Sequence, residues 1–338
     1  MKTSKRPSRR QVLVSGGLAS GLLLAGAWRE HALAGLQTAD RAGIAFGTTV
    51  KLKAAHADAR VLDAALDAAW GEIARVEEAA SLFSPSSALS RLNREGSIRE
   101  APGALLDMLT ASQEIAELTG GAFDVTVQPL WSIYETASRA GRIPSDDEID
   151  RVRDLIGYRN ITIEGRSVHL ATPGMALTLN GIAQGYATGR CLRVLSDHGI
   201  ADAFLDAGEI GVAGKREGRE PWTAAIADPR HEGQYVAMAH PLSGVLATSG
   251  DYGTSFTADF TTHHIFDPKT LRSPVRLASV SVLAQSGAYA DALATAMMIL
   301  EPDDSLALAG KLGAEIMLID KGGKITRTPA FPATLNEA

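Results

Sequence analysis

The stretch Leu277–Leu300, LASVSVLAQSGAYADALATAMMIL, governs the reading of the whole chain. Its first part, LASVSVLAQ, is a run of apolar and small residues without charge and reads as a buried strand. The second part, ADALATAMMIL from Ala290, has the pattern of an apolar helix, with Leu293, Ala294, Met297, Met298 and Leu300 ready to pack. Asp291 and Thr295 are set into that helix four residues apart, so both project from one face. An unpaired carboxylate in such a wall costs several kcal/mol or gives up its charge. Two things could keep Asp291 charged: a place near the helix N-terminus, where the macrodipole favours an anion, or a bound cation.

Outward from this stretch, strands and helices are intermixed. GTTVKLKAA from Gly47 alternates as a strand, and DARVLDAALDAAWGEIARVEEAASLF is a long amphipathic helix ended by SPSS. APGALLDMLTASQEIAELTGG is a second helix, with Pro102 early and a Gly pair at its end. NITIEG, SVHLA and MALTLN read as short strands, and AQGYATGRCLRVLSDHG as a third helix closed by Gly199. ADAFLDAG, WTAAIAD, YVAMAHPL and GVLATSG follow as turn-bounded strands. Many strands without strict βα alternation predict an α+β fold with mixed or antiparallel sheets and packed helices. No low-complexity linker divides residues 35–338, which read as one large domain or two intimate lobes.

The first segment is set apart from that fold. SRRQVLVSGGLASGLLLAGAW carries Arg9 and Arg10 before an apolar run from Val12 to Ala27, and an ALA ending at Ala34 offers a small-residue cleavage site. Residues 1–34 therefore read as a twin-arginine secretion signal, short and Gly-rich for a membrane span of about 20 residues. The expected destination is the periplasm, with membrane association if the signal stays uncleaved. Residues 35–338 keep 27 of the 33 Lys and Arg and 38 of the 39 Asp and Glu, a net charge of −11. So acidic a surface disfavours nucleic acid as a partner. A single cysteine, Cys191, excludes an internal disulfide and a thiolate metal cluster, and its half-buried helical setting reads as core.

Several short constellations carry possible chemistry, and each has an ordinary structural reading. TGGAFDVTVQPLW sets Asp124 behind two glycines and then alternates like a strand; Asp124 could simply cap a turn. LNGIAQGYATG opens a helix with Gly181 and Gly185, where a backbone can approach an anion closely, or where there is only a tight turn. LATSGDYG is a strand ending in a polar turn, and HHIFDPKT places His263 and His264 before an apolar pair.

Their order is more informative than any one of them. FGTT, SLFSPSSALSRLN, GGAFDVTVQPL, NGIAQGYATG, LATSGDY, HHIFDPKT and ADALATA succeed one another from about Phe46 to Leu300. This series resembles the ApbE family of FAD:protein FMN transferases. The resemblance implies a flavin-binding cleft between two intimate lobes, with the transferase domain spanning residues 35–338. It implies Mg2+ held by Asp291, Thr295 and a backbone carbonyl of Gly181, all hard oxygen ligands of the kind this ion takes, with water and phosphates completing its shell. It implies His264 as the catalytic base, since an imidazole near its ordinary pKa can take the proton of an attacking hydroxyl. His263 would face the other side of an extended segment. Phe46, Phe83, Ala122, Phe123, Asp124, Thr178, Gln184 and Ile265 fall at the family's flavin-binding positions.

The implied reaction is phosphoryl transfer: a Ser or Thr hydroxyl of a target flavoprotein attacks the FMN-side phosphorus of FAD, and AMP leaves. The implied partners are FAD, as substrate, and an acceptor flavoprotein, expected to be a membrane-bound redox protein with a periplasmic domain. The NGIAQGY turn in an exported chain also resembles the branch serving nitrous oxide reduction. No Asp- or Ser-Gly-x-Thr stretch of the family's target type occurs in the chain, so the acceptor is separate. Several residues depart from the family pattern. Phe46 stands for a usual Met, Phe83 for Tyr, Thr178 for Asp, Gln184 for a charged residue and Gly189 for Asp. DAGEIG stands for a GGDI-like turn, and Leu271 for the Gly of DPxTG. These changes remove charge around the flavin and keep two alternatives open: an FAD-binding or carrier protein, and a Mg2+-dependent FAD pyrophosphatase in which water attacks.

Overall fold

The computed structural model describes residues 35–216 and 218–336; the export signal read at residues 1–34 lies outside them. The chain opens with an antiparallel hairpin, β1 (Gln37–Ala45) and β2 (Thr48–His56). Helix α1 (Ala59–Ala80) follows, capped by Asp58, whose carboxylate accepts the Arg60 N–H at 2.8 Å. Leu62, Ala65, Leu66, Ala69, Ile73 and Val76 recur along it at helical spacing, so a single stripe is buried. Next come α2 (Ala88–Glu95), β3 (Ser97–Ile98) and α3 (Gly103–Leu118), the last beginning after Pro102. Helices α4 (Gln128–Arg139) and α5 (Asp146–Asp150) precede a second hairpin, β4 (Ile161–Glu164) and β5 (Ser167–Leu170). Then α6 (Ala183–Asp197) leads to β6 (Asp202–Asp206) and β7 (Ile210–Ala213). Three longer strands follow, β8 (Trp222–Ala227), β9 (Tyr235–Leu242) and β10 (Gly244–Gly250). The strand and helix of the opening stretch are β11 (Leu277–Ala284) and α7 (Gly287–Met297). Helix α8 (Pro302–Leu312) and β12 (Glu315–Asp320), β13 (Ile325–Arg327) and β14 (Ala333–Leu335) complete the chain.

The frame is an eight-stranded sheet in the order β1-β2-β6-β7-β10-β11-β12-β13, antiparallel at every pairing. One face carries α1, α6 and α7. The other packs against a three-stranded sheet, β14-β9-β8, through Phe204, Ile210, Leu246 and Met317 on one side and Trp222, Ile226 and Leu242 on the other. Helices, large sheet and small sheet stacked in layers make an α+β fold, as the sequence predicts. Among the described residues no helix is long and apolar enough to cross a membrane. Cys191 is buried, donates to the Ala69 carbonyl at 3.3 Å, and has its thiol pushed up to about 12 by burial, which makes it an inert core residue.

Two stretches predicted as strands are not. MALTLN is extended but joins no sheet. Leu177 exchanges hydrogen bonds with the Asn93 side chain at 2.7 and 2.8 Å, and the Thr178 N–H donates to the Val125 carbonyl, so its polar groups are satisfied without a neighbouring strand. The alternation in FDVTVQPL is a 3-10 turn, Val125–Val127, running into α4 with Pro129 in its first turn. Asp124 overrides the alternation by accepting from both Thr126 N–H and its hydroxyl, and Pro129 is pre-organised to begin a helix.

Candidate active site

Helices α6 and α7 touch backbone to backbone where they cross. A Cβ on Gly185 would stand 2.1 Å from the Gly287 carbonyl oxygen, and one on Gly287 equally close to the Gly185 oxygen. Only glycine at both positions permits this approach. The crossing places Asp291, in the second turn of α7, against the start of α6, where one carboxylate oxygen accepts the Gly185 N–H at 2.9 Å. Asp291 is 4% exposed, and burial pushes its carboxyl up to about 7. It lies beyond the first turn, so the helix dipole contributes little to holding its charge. One turn on, the Thr295 hydroxyl lies 3.1 Å from the Ser249 hydroxyl, and Gly181 abuts it closely enough that an added Cβ would meet Oγ1 at 2.9 Å.

These groups line a cavity of about 260 Å³ at the end of β10, between the α6–α7 crossing and the turns that face it. Ala122, Phe123, Asp124, Thr178, Gly181, Gln184, His264, Ile265, Asp291 and Thr295 all lie on its wall. Phe46 and Phe83 do not. Phe46 sits in the β1–β2 turn with positive φ, its N–H donating to Glu77 at 3.0 Å and its ring against the core. Phe83 is 69% exposed in the turn after α1. Asp124 reaches the cavity while accepting three hydrogen bonds from the turn around it. Besides Thr126, its other oxygen accepts the Tyr158 N–H at 2.9 Å, so it organises the turn. Gln184 packs over Gly208, whose positive φ lets the turn between β6 and β7 come close.

That turn contributes the main residues that sequence reasoning passed over. Asp206 and Glu209 of DAGEIG are buried on the cavity wall beside Asp291. Burial raises both carboxyls, and the nearby Asp291 charge raises Glu209 further. Glu209 accepts the Thr248 N–H at 3.0 Å. The signal was present in the sequence as an unusual acidic turn, but only the sheet pairing of β7 with β10 brings it to Asp291. Among the described lining residues there is no lysine or arginine. Nor do the described residues include a cluster of three or more His, Cys, Asp or Glu arranged around one point, so a cation here would keep few protein ligands and draw the rest from water or substrate oxygen.

The two histidines face opposite ways, as an extended segment requires. His264 lines the cavity; its backbone N–H donates to the Thr254 carbonyl at 3.0 Å, and its Nδ1 lies 3.1 Å from the same oxygen and 3.3 Å from the Thr254 N–H. Burial lowers its pKa. Gly253 leaves room for the ring, since a Cβ there would come within 3.1 Å of it. His263 is fully buried away from the cavity. Its Nε2 lies 2.9 Å from the Pro274 carbonyl, its backbone exchanges hydrogen bonds with the Ser273 hydroxyl, and burial pushes it down to about 4.

The ApbE family model matches residues 46–318. A protein of Vibrio cholerae named FAD:protein FMN transferase is 32% identical over 95% of this chain and 98% of its own length. One of the same name from Escherichia coli K12 is 28% identical over 75% of each chain. The crystal structure of the ApbE protein of Thermotoga maritima superposes with a TM-score of 0.79 at 27% identity, covering 87% of this chain and 98% of that one.

Proposed function

This chain belongs to the ApbE family, and from that premise we propose that it transfers FMN from FAD to a Ser or Thr hydroxyl of a separate flavoprotein, with Mg2+ at Gly181, Asp291 and Thr295. The observation that carries the reading is the convergence of His264, Gly181, Asp291 and Thr295, from three distant parts of the chain, on one cavity. The residues suit a hard divalent cation. A buried carboxylate, two hydroxyls (Thr295 and Ser249) and the Gly181 main chain meet on a wall that also holds Asp206 and Glu209 but no Lys or Arg. Without a cation, such a wall would repel the pyrophosphate of FAD. When bound, the ion supplies positive charge against the pyrophosphate oxygens.

The chain's own residues do the rest. Phe123, Ile265 and Phe266 give the cavity an apolar wall. The Thr254 carbonyl lies closer to Nδ1 of His264 than the Thr254 N–H does, 3.1 against 3.3 Å; the tautomer with Nδ1–H donated to that carbonyl leaves Nε2 as the acceptor, and the lowered pKa keeps the ring neutral, as a base must be. The acceptor hydroxyl gives its proton to Nε2 while its oxygen bonds to the FMN-side phosphorus. The bond from that phosphorus to the bridging oxygen breaks, and AMP leaves with that oxygen. Residues 1–34 are read as directing the protein to the periplasm, where a membrane-bound redox acceptor would be met.

The test incubates residues 35–338 with FAD and MgCl2, with and without an acceptor flavoprotein domain. A covalent FMN adduct by mass spectrometry, with AMP in equal amount, is the expected result. AMP and free FMN without acceptor would make the protein a pyrophosphatase, and bound unchanged FAD would make it a carrier.

A further inference from the structure

The segment LATSGDYG enters the site through Ser249, Gly250, Tyr252 and Gly253, but its Asp251 has no part in the reaction above. Asp251 is the most buried carboxylate of the described chain, at 0% exposure. It is fully paired: Arg230 of the β8–β9 turn donates to both oxygens, at 2.8 and 2.7 Å, and the Lys321 ammonium lies 2.6 Å from one of them. Both cations also reach a second point on the same loop. Lys321 donates to the Phe260 carbonyl at 2.5 Å, and the Arg230 guanidinium lies over the Phe260 ring at 4.6 Å. Asp251 is the base of a hairpin-like excursion and Phe260, at positive φ, is near its tip. Between them the two strands are joined by the Ser255–His263 bridge, by the Phe256 N–H to Thr262 carbonyl and His264 N–H to Thr254 carbonyl bonds, and by the Ser255 and Thr257 hydroxyls, which bond to Thr262. The returning strand ends at His264, whose ring is oriented by Thr254 of the outgoing one.

We propose that Asp251, clasped by Arg230 and Lys321 at both the base and the tip of the 251–264 loop, is a positioning residue for His264, fixing the imidazole's tautomer and its place in the cavity. The inference rests on the role assigned to His264. Its physical basis is the pair of cations shared between two points of one loop. A bidentate Arg fork on a desolvated carboxylate sets geometry as well as charge, and breaking one partner leaves buried charge uncompensated. With the clasp released, Thr254 and His264 can shift relative to the cleft, and small misplacement of a reacting group lowers turnover by roughly 10²-fold.

The experiment compares D251N and the milder K321M with wild type in three readouts. The first is the imidazole 1H–15N spectrum, assigned with H264Q, which needs no activity. Wild type should give one hydrogen-bonded Nδ1–H tautomer for His264, and both variants averaged tautomers. The second is FMN transfer: kcat should fall roughly 10–100-fold, with KM for FAD within about 3-fold. The third is the same substitution in an H264A background, where that loss should vanish. An unchanged His264 spectrum in K321M, or an equal fractional loss of transfer with and without His264, overturns the proposal. If wild type transfers no FMN yet the variants alter the His264 tautomer, the positioning stands and the proposed function falls.

Discussion

The Asp291 carboxylate accepts a hydrogen bond from the Gly185 backbone N–H at 2.9 Å, joining residues 106 apart in the chain. The contact exists because glycines on both helices allow α6 and α7 to touch, and it uses only one of the two carboxylate oxygens. Asp291→Ala therefore removes the proposed anionic ligand and leaves the helix crossing in place. The expected outcome is complete loss of MgCl2-dependent transfer. The wild-type rise in melting temperature on adding MgCl2 should also vanish. A full thermal response to MgCl2 in the variant would rule out Asp291 as a cation ligand.

His264 and His263 separate function from stability. His264→Gln should lower FMN transfer by about 10²–10⁴-fold, the usual contribution of a general base, while FAD binding followed by flavin fluorescence is kept. His263→Gln removes a buried partner of Pro274 and should lower the melting temperature. Comparable losses of kcat in two equally stable variants would contradict this division.

His263 also makes stability depend on pH. Its folded pKa, about 4, lies below the ordinary histidine value, so the unfolded chain binds a proton that the folded one refuses. Stability is whole above the ordinary value, falls as pH drops from about 6.5 to about 4, and this contribution levels off below that. Denaturant unfolding at pH 7, 5.5 and 4.5 should show a steeper fall in wild type than in His263→Gln. Parallel curves would show that the ring is accessible to protons in the folded state.

Leu271 is 1% exposed and held at φ +60°, where the family pattern has glycine. Leu271→Gly relieves about 1–2 kcal/mol of backbone strain. It also deletes a side chain packed with Leu130, Tyr134 and Phe266, and emptying such a site costs about 2–5 kcal/mol. The cavity outweighs the strain, so the midpoint of urea unfolding should fall; a rise would mean that the strain is larger than packing.

Export is tested by replacing Arg9 and Arg10 with lysine. The twin-arginine reading expects the variant to accumulate in the cytoplasm, and periplasmic recovery equal to wild type would reject it.

Much of this protein was legible before folding was considered, and for local reasons. Helix α1 follows from its apolar spacing and the Asp58 cap, and β11 and α7 from the change of period inside one stretch. The motif order gave the family, and with it His264, Gly181, Asp291 and Thr295, all of which reach the cavity. Where the sequence misled, a distant partner had replaced a local one. MALTLN satisfies its backbone on Asn93 and Val125 instead of a strand, and Asp124 bends VTV into a 3-10 turn. Phe83, at a family flavin position, stands exposed in the turn after α1 and outside the cavity wall. Glu209 and Asp206 join Asp291 only through the pairing of β7 with β10, and Asp251 meets Arg230 and Lys321 only because three separate turns converge. Periodicity and caps act within a few residues and are written in the chain. Burial, shared charge and close backbone approach act between remote segments, so only the tertiary structure decides them.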